Sequence, residues 1–128
     1  KRTPAGVTII DDAFNSNPDG SRMALDVLAR MTSGRRIIVT PGMIELGAKQ
    51  AELNRTFGTH IANSCDFAII VGQYNREAIV EGIRQAGKLN ENAVILAESF
   101  ADAQNKLSGL LKTGDTVLYE NDLPDTFK

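Results

Sequence analysis

Three carboxylates, two amides and a hydroxyl fall within the ten residues Asp11-Asp12-Ala13-Phe14-Asn15-Ser16-Asn17-Pro18-Asp19-Gly20. Carboxylates suit sugar hydroxyls or a metal ion, whereas the free amides at a helix start suit phosphate or carboxylate. Capping explains part of the segment. Asn17 fits an N-cap, Pro18 the first helical position, and Asp19 the first turn, where the helix dipole favours an anion. Asp11, Asp12 and Asn15 need another reason, and ligand binding and solvated turn chemistry stand level for them. Pro41-Gly42-Met43-Ile44-Glu45-Leu46-Gly47 is a second candidate, with Glu45 as its contact, and fits a loop entering a helix equally well.

Other chemistries are poorly supplied. His60 has no second His or Cys at metal spacing and reads as a helix surface residue, while Cys65 falls on an apolar stripe. Nucleophile elbow, zinc motif and dinucleotide fingerprint are all missing, and Lys112-Thr113-Gly114-Asp115 lacks the glycine loop of a phosphate cradle. A phospho-receiver domain would need an Asp ending the third strand and a Lys ending the fifth, where Val71-Gly72 and Tyr119-Glu120 stand. A haloacid-dehalogenase-type phosphatase needs its acids two apart, and Asp11 and Asp12 are adjacent. No catalytic or metal-ligating residue is assigned.

The elements that must position these loops follow from periodicity. Apolar, β-rich runs predict strands at 7–11, 36–40, 67–71, 93–96 and 116–119, and amphipathic spacing predicts helices at 19–31, 48–64, 76–86 and 100–111. In the first helix, Met23, Val27 and Met31, with Ala24 and Leu28, form the expected apolar stripe. Such alternation predicts an α/β, Rossmann-like three-layer domain: a mostly parallel sheet of five or six strands flanked by helices. Ligands of open α/β sheets sit outside the carboxyl ends of the strands, which points to loops 11–19, 40–48, 72–76, 97–100 and the segment from 120 onward.

The 128 residues support one domain. A net charge of −2 argues against a nucleic-acid partner. One cysteine cannot form an internal disulfide, and no apolar run approaches the ~20 residues of a membrane helix. A cytoplasmic protein without a membrane partner is expected. Thr3-Pro4-Ala5-Gly6 reads as a turn into the first strand, so Lys1-Arg2 could end an earlier strand, as in a fragment.

Ile9-Ile10-Asp11-Asp12-Ala13-Phe14-Asn15-Ser16-Asn17-Pro18-Asp19, followed by Ala24-Leu25-Asp26-Val27-Leu28, resembles the C-terminal domain of the Mur ligases. The branch it most resembles is MurF, which joins D-alanyl-D-alanine to a UDP-MurNAc-tripeptide. Gly42-Met43-Ile44-Glu45-Leu46-Gly47 is similar to that branch's segment after strand two, and Phe67 to Gly72 and Gly114-Asp115-Thr116-Val117-Leu118 extend the match. The resemblance implies that residues 1–128 are an acceptor-binding domain whose UDP-substrate and central ATPase domains lie upstream. It implies ATP and magnesium held mainly by the central domain, an amino acid or dipeptide acceptor, and a UDP-MurNAc-peptide-type substrate bound through the other domains. It places nucleotide contacts at Asp12 (the ribose), Phe14, Asn15 and Asn17. Substrate contacts fall at Asn15, Ser16, Asn17, Glu45, Glu120 and Asn121.

Three departures from the MurF pattern stand out. Thr40-Pro41-Gly42 removes an acid, Asn54 replaces a usual His, and Tyr119-Glu120-Asn121-Asp122 puts anions where that branch has cations. Phe14 also replaces a usual Tyr. A dipeptide carboxylate wants a cation or free amides, so a paralogue with another amine acceptor fits as well as a D-alanyl-D-alanine ligase. A free-standing nucleotide- or partner-binding module without ligase activity is the alternative to both.

Overall fold

The computed structural model describes residues 4, 6–12, 18–31, 34–43 and 47–120. In chain order the elements are β1 (Thr8–Asp12), α1 (Pro18–Ala29), β2 (Arg36–Thr40), α2 (Gln50–Ser64), β3 (Phe67–Val71), α3 (Arg76–Ala86), β4 (Val94–Ala97), α4 (Phe100–Leu110) and β5 (Thr116–Glu120). Short 3₁₀ turns at Gly47–Lys49 and Glu91–Ala93 lead into α2 and β4. The sheet has five strands in the order β1-β5-β2-β3-β4, all paired in parallel. The structure is therefore the expected α/β three-layer fold.

Alternation along each strand supplies two cores. Ile38, Ala68, Ile70 and Leu118 meet Leu25 and Leu28 of α1, Phe57 and Ile61 of α2, and Ile79 and Ile83 of α3. Ile37, Val39, Ile69, Val71 and Val117 meet Ala103 and Leu107 of α4 on the other face. Crossovers between parallel strands are right-handed as a rule, so a chain that reverses its direction across the sheet must put its helix on the opposite side. The path from β4 back to β5 is that reversal, and α4 follows it.

The stripe on α1 keeps Ala24 and Leu28 of the expected one but not Met23 and Val27. Ser21, Ala24, Leu25 and Leu28 are buried, while Met23 is 68% and Val27 47% exposed. Two overlapping apolar spacings compete on this helix. The one containing Leu25 and Leu28 wins because those large side chains fill the space above Ile38 and Leu118. Between α2 and α3 the backbones approach closely at Gly58 and Gly82. A Cβ at Gly82 would stand 1.8 Å from the carbonyl oxygen of Arg55, and one at Gly58 would stand 2.2 Å from that of Ile79.

At the amino end of the sheet, Arg35 grips Asp115 with two hydrogen bonds, Nε to Oδ1 at 3.0 Å and Nη2 to Oδ2 at 2.6 Å. The same guanidinium donates to the Leu110 carbonyl and lies 5.0 Å from the Phe67 ring centroid. Burial pushes the Asp115 carboxyl up, but the Arg35 side chain and the Lys112 amide outweigh it and hold the group below its ordinary value. A carboxylate depressed in this way stabilises the fold above its unfolded value of about 3.9 and stops doing so as pH falls through the folded value. Asp115→Asn is expected to cost about 2–3 kcal/mol at pH 7 by urea unfolding. It should also remove the part of the acid dependence that lies below pH ~4.

Cys65 is core, as expected, and burial pushes its thiol far up. A low thiolate fraction and no access make it inert. A chromogenic disulfide reagent should therefore leave the folded chain unlabelled and react stoichiometrically in denaturant.

Candidate functional site

Parallel strands leave all their carboxyl ends on one edge. Asp12 ends β1 and is the register partner of Glu120, which ends β5. Thr40 ends β2 on the other side of β5. Two of the expected contact residues, Asp12 and Glu120, therefore stand side by side on neighbouring strands. Phe14, Asn15, Ser16, Asn17, Glu45 and Asn121 lie outside the described residues.

Glu120 is 0% exposed. Its Oε1 accepts from Ser21 Oγ, in the first turn of α1, at 2.6 Å, and its Oε2 accepts from Thr40 Oγ1 at 3.2 Å. Thr40 Oγ1 in turn accepts from the Gly42 amide at 3.0 Å. The carboxyl group lies close to the positive end of the α1 dipole. Sequence pattern gave no sign of this: Ser21 reads as an unremarked helix residue and Thr40 as a strand end.

The loop after β2 is held by buried amides. Asn54 of α2 accepts from the Met43 amide at 2.9 Å and donates to the Met43 carbonyl at 2.9 Å. Asn75 donates to the carbonyls of Pro41 and Met43, both at 3.0 Å. Gln50 donates to the Asn75 Oδ1 at 2.7 Å and also to the Met43 carbonyl. Gly42 adopts φ +83°, and a Cβ there would be 2.8 Å from Asn54 Oδ1, so the network closes over a position only glycine fills well. Asn54 thus anchors a loop from below, with no exposed surface. Asn75 stands at the N-cap position of α3, yet its side chain makes no capping bond and is spent on this loop.

A third group lies where β3 and β4 end, between helices on opposite faces of the sheet. Gln73 donates to Glu98 Oε2 at 3.1 Å, and Arg76 Nη2 reaches Glu98 Oε1 at 3.4 Å and the Ala97 carbonyl at 3.5 Å. Gln73 first, then Arg76, holds the Glu98 carboxyl below its ordinary value. These are long contacts, and the buried Arg76 Nε has no partner, so this guanidinium is incompletely satisfied. An open cleft of about 420 Å³ runs from Gln73 and Arg76 to Leu96. Among the described residues no three His, Cys, Asp or Glu side chains gather where they could hold a metal ion. Among the same residues no helix is long and apolar enough to cross a membrane.

Asn54→Ala should leave the buried Met43 amide without its acceptor. The expected cost is about 2–3 kcal/mol in urea, together with faster hydrogen exchange at Met43. Slow exchange at Ile69 should persist, since β3 does not depend on the loop.

Residues 1–119 match the family described as Mur ligase, glutamate ligase domain. Among solved structures, MurF ligase from Thermotoga maritima in complex with ADP superposes on 94% of the chain with a TM-score of 0.75 and 24% identity. MurF from Acinetobacter baumannii superposes on 93% with a TM-score of 0.74 and 26% identity. A second crystal structure of that enzyme gives 89%, 0.68 and 27%. The chain spans about a quarter of the length of these relatives, 26%, 26% and 24% in turn.

Proposed function

The chain belongs to the Mur ligase family, and on that premise we propose that it is the C-terminal, acceptor-binding domain of an ATP-dependent amide ligase of peptidoglycan precursor synthesis. In that chemistry a carboxylate of the UDP-MurNAc-peptide takes the γ-phosphoryl group of ATP, giving an acyl phosphate and ADP. The amine of the incoming amino acid or dipeptide then attacks the acyl carbon, phosphate leaves, and the amine gives up a proton. The upstream domains bind the UDP-linked substrate and the phosphates, and the magnesium expected with the nucleotide belongs to the central domain. The protein works in the cytoplasm, where these soluble precursors are made.

The observation that carries this proposal is the meeting of three segments at one edge: the end of β1 at Asp12, the end of β2 at Thr40 and the end of β5 at Glu120. A ligand lying across that edge would meet the end of β1, where an Asp suits ribose hydroxyls, and the start of α1, suited to negative charge. Phe14, Asn15 and Asn17 complete the nucleotide side in this proposal, and Asn15, Ser16, Asn17, Glu45 and Asn121 the acceptor side. The domain supplies no nucleophile. It contributes by positioning amine and acyl phosphate across a closing interdomain cleft.

Steady-state kinetics of the full-length protein test the assignment. Asp12→Ala should raise KM for ATP about tenfold or more, the loss of a charge-assisted hydrogen bond, with KM for the UDP-linked substrate unchanged. Unchanged ATP kinetics would remove the ribose contact. Detection of ligation by residues 1–128 alone would overturn the division of labour between domains.

A further inference from the structure

We propose that Glu120 is a positioning residue: its carboxyl group, sealed under the carboxyl edge, locks the first turn of α1 to the end of β2. The inference rests on the ligase assignment for its consequence, but its structural half stands apart from it. Glu120 ends the strand that lies between β1 and β2, and the two hydroxyls on its two oxygens come from elements on different sides of it.

Hydrogen-bond direction fixes the chemistry. Thr40 Oγ1 receives the Gly42 N–H, so its single proton is free to go to Glu120. Ser21 likewise donates its proton to the other oxygen. Each carboxyl oxygen therefore holds one hydroxyl, and the two hydroxyls are joined only through Glu120. A directed chain results, from the Gly42 amide through the Thr40 hydroxyl to Glu120, met from the other side by Ser21. Ser21 and Thr40 therefore share one acceptor group. If one hydroxyl is lost, the carboxyl group can rotate and the other contact loosens with it.

The consequence concerns the amine. The first turn of α1 and the end of β2 flank the proposed site, and a fixed separation between them fixes where the acceptor lies relative to the acyl phosphate. Misplacement of about 1 Å can cost on the order of a hundredfold in rate. Glu120 would thus govern acceptor use from beneath the surface, through Ser21 and Thr40, without touching a ligand.

The test uses full-length protein carrying Glu120→Gln, Ser21→Ala, Thr40→Val, the Ser21→Ala/Thr40→Val pair, and Thr40→Ser, which keeps the hydroxyl. In Glu120→Gln one oxygen becomes an NH2 group that donates instead of accepting, so one hydroxyl can no longer give its proton to residue 120 and must turn to accept. Hydrogen exchange should quicken together at Ser21 and Gly42 in Glu120→Gln, with Ile69 unaffected. KM for the acceptor amine should rise about tenfold, while KM for the UDP-linked substrate holds. Thr40→Ser should rescue both readouts relative to Thr40→Val, and the effects of Ser21→Ala and Thr40→Val should not add in the double variant. Should Glu120→Gln fail to fold, Thr40→Val against Thr40→Ser carries the same test. Unchanged exchange at Ser21 and Gly42, or fully additive single variants, would overturn the lock. Quickened exchange with an unchanged acceptor KM in an active enzyme would overturn the positioning role. A wild-type protein without ligase activity would count against the function proposed above and leave the exchange measurement to decide the lock.

Discussion

The insertion of β5 between β1 and β2 is the constraint on which the rest of the domain depends. Thr8 pairs with Thr116 on one side and Arg36 with Thr116 on the other, so β5 determines the spacing of both neighbours. Both ends of this strand carry a buried acid, and each is answered differently. Asp115 meets a guanidinium and a backbone amide at the amino end. Glu120 meets two hydroxyls at the carboxyl end. A parallel sheet covered on both faces cannot let water reach such groups, and the protein must satisfy them itself. The helices then fall into place: α1, α2 and α3 cover one face, and α4 covers the other.

Buried polar side chains are unevenly distributed. Ser21, Thr40, Asn54, Asn75 and Glu120 are all buried near the carboxyl edge or the loop behind it. Apolar residues of the same volume would stabilise a sheet end as well or better. Polar groups do something apolar packing cannot, because a hydrogen bond has a direction and a length. The Pro41–Met43 backbone is held by bonds from three amide side chains, so its carbonyls and amides are fixed in orientation as well as in place. Local rules of burial are broken where a domain must present its backbone to something else.

Much of the fold was legible in the sequence, and particular residues show why. β2, β3 and α3 fall on their expected boundaries, because Ile37-Ile38-Val39 and Ala68-Ile69-Ile70 are unbroken apolar runs and Gly87 ends α3 in a left-handed turn. The inward face of α1 was less legible, since Met23 and Val27 are as apolar as Leu25 and Leu28 and only the sheet beneath decides between them. Strand order lay beyond pattern altogether: nothing local in Thr116-Val117-Leu118-Tyr119 says that it enters between β1 and β2. At the site, the strand pattern placed Asp12 and Glu120 at strand ends but did not show that Glu120 is buried beneath the edge. It missed Ser21, Gln50 and Asn75, whose roles exist only once distant elements meet. A polar residue's partner lies a hundred residues away as easily as four.

Insertion of the last strand also orders events in time. The ribosome adds β5 after every other described strand, at about 5–20 residues per second, so Thr8 waits on the order of ten seconds for Thr116. Until then β1 has no partner in the sheet and β2 has an open edge along Ile37 and Val39. Unpaired edges of that kind invite pairing with other chains. The growing chain therefore passes through a period in which its helices can form but its sheet cannot close. A ribosome stalled before Thr116 would hold a polypeptide rich in secondary structure that still lacked the strand joining its two halves.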